Sequence, residues 1–141
     1  MNVSMNFTEK WREFDSSSPI YGQIIVNFER AIVRGEIDAG ARIPSIRELS
    51  GKLKVNTNTV QRAYQEMERS ELIYSQRGTG YFVMNNKEIT NSVREKMVSQ
   101  TVKVFLEEMY ALGFNNQEIE GEIVKAIKAN SNENGGQKHE Q

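Results

Sequence analysis

The stretch Arg42–Val83 constrains the fold more than any other part of this chain, and it reads RIPSIRELSGKLKVNTNTVQRAYQEMERSELIYSQRGTGYFV. Ser45 and Glu48 have the spacing of a capping box, in which each side chain satisfies a free amide of the first helical turn. This pattern predicts a helix over residues 45–54. Asn56 is a good N-cap for the next helix, so the chain must turn sharply between the two.

The second of these helices is predicted over residues 56–70, and its two faces differ in character. The side chains expected to be buried recur at helical spacing and are Val60, Ala63, Tyr64 and Met67. The opposite face carries Thr57, Asn58, Gln61 and Gln65. Because a solvated helix face usually carries charged residues, these hydroxyl and amide side chains indicate that the face contacts a partner.

Two short strands are predicted after the second helix, over residues 72–75 and 81–84. The segment Gln76–Gly80 joins them as a hairpin turn, and its two glycines let the backbone come close to a phosphate. A helix, a sharp turn, a polar-faced helix and a hairpin occur in the order of a winged helix-turn-helix. The predicted fold is therefore mainly α with a small β-wing, and it suits the placement of a helix end against double-stranded DNA.

The residues before this stretch predict a helix and an extension. Residues 19–34 are predicted to be helical, with Pro19 at the first helical position. Three aromatic residues recur at helical spacing in the extension, residues 1–18: Phe7, Trp11 and Phe14. They are compatible with a short amphipathic helix or with an aromatic clasp packed on the main domain, and we favour the clasp.

Composition removes several classes of function. The chain has 141 residues, of which 38% are hydrophobic and 26% charged, and this suits one domain with an appendage. It has no apolar run of about 18 residues and no signal pattern at its start, so we expect a cytoplasmic protein with no membrane span. It has no cysteine, and its only histidine is His139. No catalytic residue, metal site or cofactor is therefore predicted, and we expect a protein that is not an enzyme.

The net charge is −1, but the charge is unevenly distributed. Residues 42–84 hold seven basic and four acidic side chains, a formal charge of +3, whereas residues 85–141 hold seven basic and nine acidic side chains, a charge of −2. A positive field this weak gives little affinity for DNA of random sequence. Useful affinity then requires two copies of the chain acting together.

The side chains predicted to read bases lie in the first turns of the polar-faced helix. They are Asn56, Thr57, Asn58, Thr59 and Gln61. Asn and Gln can pair with the edge of adenine, and Thr can contact a thymine methyl group or a phosphate. The alternative for Asn56 and Thr59 is simple capping, and the alternative for the other three is a solvated helix face.

Basic residues complete the predicted interface with DNA. Arg47, early in the preceding helix, can reach a phosphate or the groove edge, and its alternative role is a surface ion pair with Glu48 or another acidic residue. Arg62 either binds a phosphate or only flanks the DNA face. The predicted contacts of the wing tip are Arg77, Gly78 and Thr79. The arginine at this tip can enter the minor groove or bind a phosphate.

Together these motifs resemble the DNA-binding domain of the GntR family of bacterial transcription regulators. The residues that carry the resemblance are Pro44–Leu49, Val55–Val60 with Ala63 and Tyr64, Glu71–Ile73 and Arg77–Val83, and also Pro19–Tyr21 with Gln23 and Ile24. The resemblance spans roughly residues 19–84. It implies that the positions matching Arg47, Asn56, Thr57, Asn58, Thr59, Gln61, Arg77 and Gly78 lie at the DNA. Many members carry Arg at the positions of Thr57 and Gln61, which implies that this chain reads different operator bases.

The remaining residues predict two further helices and a tail. Residues 87–112 are predicted to form a fourth helix whose apolar side chains cover more than half of its circumference, which is more than one neighbour can bury. A fifth helix is predicted from Asn115 or Asn116 to about Ala129. The fourth helix either packs both apolar sides within one chain or forms a dimer interface. We favour a homodimer whose interface is made by Val98, Val102, Phe105, Met109 and Leu112.

The predicted organisation is an extension (1–18), a winged helix-turn-helix DNA-binding domain (19–84), a helical dimerisation segment (85–130) and a disordered tail (131–141). Only 57 residues follow Met84, and in this the chain resembles the YtrA subfamily of the GntR family. Two DNA-binding domains held by one dimer interface predict a two-fold symmetric operator, and we expect repression by occupancy of that operator. The resemblance to the subfamily implies that the regulated genes form a transporter operon. The sequence identifies no small-molecule effector.

Three other interpretations of the sequence are less favoured. Some winged helices bind proteins, so the alternative function is a protein-interaction module without specific DNA binding. A carboxylate metal site is conceivable at five acidic residues, Glu107, Glu108, Glu118, Glu120 and Glu122, but we favour a solvated helix face. The turn at Gly78–Gly80 lacks the strand-then-helix setting and the lysine of a phosphate-binding loop, so no nucleotide site is predicted.

Overall fold

The computed structural model describes residues 6–134, which belong to two compact units that divide between Glu95 and Lys96. The elements in this part of the chain are α1 (Ile20–Val33), β1 (Arg42–Ile43), α2 (Ile46–Leu53), α3 (Thr57–Arg69), β2 (Ile73–Gln76), β3 (Gly80–Val83), α4 (Lys87–Ala111) and α5 (Asn116–Glu133). The first unit ends within α4. This architecture confirms the predicted fold, which is mainly α with a small β-wing.

The core of the first unit lies between α1, α2, α3 and the sheet. Its most deeply buried hydrophobic side chains are Ile24, Phe28, Ala31, Ile43, Leu49, Val60, Ala63, Tyr64, Met67, Ile73 and Val83. The whole stripe predicted for α3 belongs to this set, so that helix is held by one complete face. Its opposite face is thereby turned away from the core.

The sheet is antiparallel, with β3 between β1 and β2. Ile43 of β1 lies opposite Tyr81, and Gln76 at the end of β2 lies opposite Gly80. Both hairpin strands lie one residue closer to the turn than predicted. The reason is that the last pair before the turn joins Gln76 and Gly80, and the pair at the other end joins Ile73 and Val83. The sequence did not predict β1, which has only two residues and exists through its pairing with β3.

The amino-terminal extension packs on α1 through its aromatic residues. A 3₁₀ helix, Asn6–Lys10, presents Phe7 and then Trp11, whose ring centroids lie 5.7 Å and 5.1 Å from that of Phe28. Phe14 also packs against the core. In the described part of the extension these contacts support the aromatic clasp over an amphipathic α-helix. Residues 1–5 of the predicted extension lie outside the described residues.

The first helix begins one residue later than predicted. Pro19 has φ −57° and ψ 142°, so it is the N-cap residue rather than the first residue of α1. Its carbonyl accepts hydrogen bonds from the N–H groups of Gly22 and Gln23 at 3.1 Å and 3.3 Å. Because the ψ angle of Pro19 is extended, the chain leaves the aromatic clasp and enters α1 at this residue.

The second unit contains the end of α4 and all of α5. Gly113 has φ +90° in the turn, and Asn115 forms a capping box with Glu118 at the start of α5. Ile119 is 2% exposed and is the buried residue of α5. The helix continues to Glu133, so the prediction that the disordered tail begins at residue 131 is wrong for residues 131–133. The capping box starts α5 firmly, and its helical hydrogen bonding continues past the last apolar residue. The helix therefore includes polar residues that the apolar spacing did not predict. The rest of that predicted tail, residues 135–141, lies outside the described residues.

The Tyr64 side chain provides a test of this packing. Its hydroxyl donates a buried hydrogen bond of 2.6 Å to the carbonyl of Pro44, whereas the Tyr110 hydroxyl donates a 2.6 Å bond to Asn116 on the surface. Tyr64→Phe should lower the free energy of unfolding by about 1–2 kcal/mol, because a buried carbonyl loses its donor. Tyr110→Phe is the matched control and should cost less than about 0.5 kcal/mol. Urea unfolding followed by circular dichroism measures both, and equal losses would contradict this assignment.

Candidate nucleic-acid interface

The first turn of α3 is organised by Asn56. Its backbone is extended (φ −62°, ψ 139°), and its side-chain oxygen accepts a 2.7 Å hydrogen bond from the N–H of Asn58. Its carbonyl accepts a 3.0 Å bond from the N–H of Thr59. Asn56 is therefore the N-cap that the sequence predicted. The cap uses the oxygen of this side chain and leaves its NH₂ group as the part that is suited to donate to DNA.

The exposed face of α3 carries most of the predicted base-reading residues. Thr57, Asn58 and Gln61 are exposed, Thr59 is half-buried, and Arg62 and Gln65 continue the exposed face. On the opposite side, the four residues of the buried stripe are 0% exposed. A helix fixed so completely along one side presents the other in a defined orientation, and such preorganisation lowers the entropic cost of binding.

Two local features fix α3 against α2. Lys54 ends α2 in the left-handed region (φ 58°, ψ 45°), which turns the chain sharply before Asn56. The Tyr64 hydroxyl bonds to the carbonyl of Pro44, next to the start of α2. Burial raises the pKa of Tyr64 well above its ordinary value, so its hydroxyl stays protonated and remains a donor at any working pH.

The start of α2 carries the predicted capping box and leaves Arg47 exposed. The N–H of Ser45 donates to Glu48 at 2.8 Å, and the N–H of Glu48 donates to the Ser45 hydroxyl at 3.0 Å. These bonds from the Ser45 backbone and side chain lower the pKa of the Glu48 carboxyl. Their stabilisation is present above the ordinary carboxyl pKa and is lost as the pH falls through the lowered one. Within residues 6–134 Arg47 forms no ion pair, so the Glu48 carboxylate serves the cap instead.

The wing tip is a tight turn with a free cation. Gly78 has φ +74°, and the N–H of Thr79 closes the turn on the carbonyl of Gln76 at 2.9 Å. Gly78 therefore occupies the left-handed region that disfavours other residues. Arg77 is exposed at this tip. The hairpin places a guanidinium and a closely approachable backbone together, separate from α3 in the chain.

Arg42 is a further cation beside the wing that the sequence interpretation missed. It lies in β1 opposite Phe82, and its guanidinium crosses Gly80. A Cβ atom at Gly80 would lie 3.0 Å from Nε of Arg42, and Gly80 has φ +130°. Gly80 thus leaves room for this arginine at the base of the wing. Only the pairing of β1 with β3 brings the two residues together, so no local sequence signal reveals them.

The acidic residues and the helices were also candidates for a metal site and a membrane span. Between residues 6 and 134, no three His, Cys, Asp or Glu side chains lie close enough to share a metal ion. The five glutamates of α4 and α5 considered above therefore form no such cluster. In the same range no helix combines the length and the apolar content that crossing a bilayer requires.

Comparison with known proteins identifies the family. The family described as "Bacterial regulatory proteins, gntR family" matches residues 20–83. The HTH-type transcriptional regulator YhcF of Bacillus subtilis is 37% identical over 107 residues, which are 76% of this chain and 88% of YhcF. This chain belongs to the GntR family. This GntR-family chain is also similar to the HTH-type transcriptional repressor YtrA of Bacillus subtilis. The two are 33% identical over 127 residues, which are 89% of this chain and 95% of YtrA.

The fold comparison agrees with this GntR assignment. A GntR family transcriptional regulator from Listeria monocytogenes superposes with a TM-score of 0.72 and 40% identity, and the match covers 79% of this chain and 98% of that one. As a GntR-family member, the protein is a DNA-binding transcription regulator and not an enzyme. Both the predicted family and the likeness to YtrA are confirmed. Family membership favours DNA binding over the alternative protein-interaction module.

The capping role of Asn56 can be separated from its neighbours by mutation. Asn56→Ala should lower the free energy of unfolding by about 1 kcal/mol, because the first turn of α3 loses its side-chain acceptor. Asn58→Ala should change it by less than about 0.5 kcal/mol, because Asn58 takes part through its backbone N–H. Chemical denaturation of both variants gives the comparison, and a larger loss for Asn58→Ala would contradict the capping geometry.

Proposed function

We propose that the protein is a homodimeric repressor that occupies a two-fold symmetric operator, with α3 of each copy in the major groove. The exposed polar face at the start of α3 carries this proposal. Thr57, Asn58 and Gln61 project there from a helix whose opposite face is fully buried. This combination of a rigid support and hydrogen-bonding side chains suits the reading of base edges.

The base-reading side chains have distinct tasks in this proposal. Asn58 and Gln61 each offer a carbonyl oxygen and an NH₂ group, which together match the N6 and N7 positions of adenine. Thr57 offers a methyl group and a hydroxyl, which suit a thymine methyl or a phosphate. With Thr and Gln rather than Arg at these positions, the half-site is expected to be richer in adenine and thymine than in guanine.

The cations around this face position the protein on the phosphate backbone. Arg47 is exposed on α2 and Arg77 is exposed on the wing, so they approach the duplex from two different elements. Thr79 and the backbone of Gly78 accompany Arg77 at the wing tip. Contacts of this kind set the register of a protein on DNA and carry little sequence information.

The second unit is suited to bring two copies together. The predicted seam residues follow alternating steps of four and three residues, which is the spacing of helices that pack as coiled coils. Val98, Val102, Phe105 and Met109 lie on α4, and Leu112 directly follows its last residue. Val98, Val102 and Leu112 are 57%, 48% and 72% exposed. A soluble protein rarely leaves so many neighbouring large apolar side chains in water.

A groove on the same surface supports the proposed dimer. It has a volume of about 360 Å³ and is lined by Phe105, Met109, Glu122, Ile123, Ala126 and Ile127. Because the seam residues Phe105 and Met109 also line this groove, the seam and the groove form one continuous apolar surface. A second copy that presents the same surface can cover both the seam and the groove and have its own covered in return. Such mutual burial is what the self-complementary interface of a two-fold dimer requires.

Dimerisation also compensates for the small positive charge of the residues proposed to bind DNA. A formal charge of +3 over residues 42–84 gives weak binding to one half-site. Two linked half-site contacts raise the overall affinity without any new contact. The two recognition helices then read half-sites about 10 base pairs apart, or a multiple of that spacing.

Repression follows from occupancy of the operator. A dimer seated on a promoter excludes other proteins from the same DNA. YtrA of Bacillus subtilis, to which this chain is 33% identical, is named a transcriptional repressor. By its resemblance to that subfamily, the regulated genes are proposed to form a transporter operon, and the genes adjacent to this one test that part of the proposal.

Base reading can be tested with an operator selected from a random duplex library by the wild-type protein. The selected duplex should contain two symmetric half-sites. Gln61→Ala should weaken its binding by about tenfold or more, because a base contact worth about 1–3 kcal/mol is lost in each half-site. Gln117→Ala, an exposed glutamine on α5, is the matched control. Gel-shift titration measures both variants. Equal affinities for Gln61→Ala and the wild type would remove Gln61 from the interface, and failure to enrich any duplex would overturn the proposed function.

The dimer surface can be tested on α4 with one added charge. Val102→Glu places a carboxylate in the apolar seam and should convert the protein to a monomer, with a loss of operator affinity of about 100-fold or more. Gln100→Glu adds the same charge at an exposed position on the opposite side of α4 and should leave the dimer intact. Sedimentation velocity gives the masses, and circular dichroism checks that both variants remain helical. A wild-type protein that is monomeric at all concentrations would contradict the proposed dimer.

A further inference from the structure

Arg62 of α3 lies on the ring of Tyr21 in the first turn of α1. The guanidinium carbon of Arg62 is 4.1 Å from the centroid of that ring, well within the range of a cation–π contact. Tyr21 is half-buried and packs against the core, whereas Arg62 is exposed. The ring is therefore a fixed platform, and the arginine rests on it at the protein surface.

The ring of Tyr21 attracts the charge of the guanidinium and occupies none of its five N–H donors through a hydrogen-bond acceptor. Among residues 6–134, Arg62 has no carboxylate partner, whereas Arg69 on the same helix is paired with Glu66. The ring contact orients Arg62 while its hydrogen-bonding capacity remains unused.

The position of Arg62 on α3 indicates what this capacity is for. Arg62 follows Gln61 directly and lies one helical turn after Asn58, so it borders the exposed polar face. A groove-bound helix has the phosphate backbone at its flanks and the base edges in front of it. A planar guanidinium with a free edge matches the oxygens of a phosphate in a two-point contact.

We propose that Tyr21 is a positioning residue, which holds the guanidinium of Arg62 for a two-point contact with a DNA backbone phosphate beside the major groove. This inference rests on the proposed function and adds a specific coupling to it. The first turn of α1 then takes part in DNA binding without touching the DNA. Its contribution is to reduce the freedom that a long arginine side chain loses on binding.

The coupling is tested with a double-mutant cycle of Tyr21→Leu and Arg62→Gln, measured on the selected operator and on an unrelated duplex of the same length. Tyr21→Leu should weaken binding about 2- to 5-fold for each half-site. The loss should be the same on both duplexes, because a phosphate contact is independent of sequence. Arg62→Gln should also lower the slope of log affinity against log salt by about 0.9 for each half-site.

Two comparisons distinguish positioning from a general structural role. In the Arg62→Gln background, Tyr21→Leu should cause no further loss of affinity, since the group that it orients is absent. Tyr21→Phe keeps the aromatic face and should retain wild-type affinity and salt slope. Urea unfolding of all the variants reports stability separately from DNA binding.

The outcomes separate this inference from the function on which it rests. Losses that are additive in the double mutant, or a Tyr21→Phe variant as weak as Tyr21→Leu, would overturn the role of Tyr21 while operator binding by the wild type stands. A loss confined to the operator would overturn the phosphate as the partner of Arg62. A wild-type protein that enriches no operator from the duplex library would overturn the proposed function itself, and this inference with it.

Discussion

The contacts of the buried Tyr64 side chain are those on which the fold of the first unit depends. Its hydroxyl bonds to the carbonyl of Pro44 at 2.6 Å, beside the start of α2. Its ring meets Phe28 of α1 and Tyr81 of β3 edge to face, with centroid distances of 5.8 Å and 4.9 Å. One residue of α3 therefore contacts the three parts of the fold that surround it. The orientation of the exposed face of α3 follows from this arrangement.

Local features of the site were predictable from the sequence because neighbouring residues satisfy them. The capping box of Ser45 and Glu48 and the N-cap of Asn56 each close within three residues. The buried stripe of α3 follows from its helical spacing, and the wing follows from glycines that the turn requires. The exposed face of α3 is recognisable in the sequence because it carries hydroxyl and amide side chains where a solvated helix usually carries charged ones.

Features that depend on distant residues were not predictable in the same way. The strand β1 exists because Ile43 pairs with Tyr81, and the same pairing brings Arg42 over Gly80. The stack of Tyr21 and Arg62 joins residues far apart in the chain, and the composition of neither helix reveals it. The helix α5 extends to Glu133, beyond its predicted end at about Ala129, because its last turn carries polar residues that give no apolar periodicity.

The proposed function requires that the first turns of α3, with the wing, form the surface that enters the DNA. Amide chemical-shift mapping of the isotope-labelled protein with its selected operator locates that surface residue by residue. We expect the largest changes on residues 56–62 and 77–80. Changes confined to the buried side of α3 or to α5, at full occupancy of the operator, would contradict it.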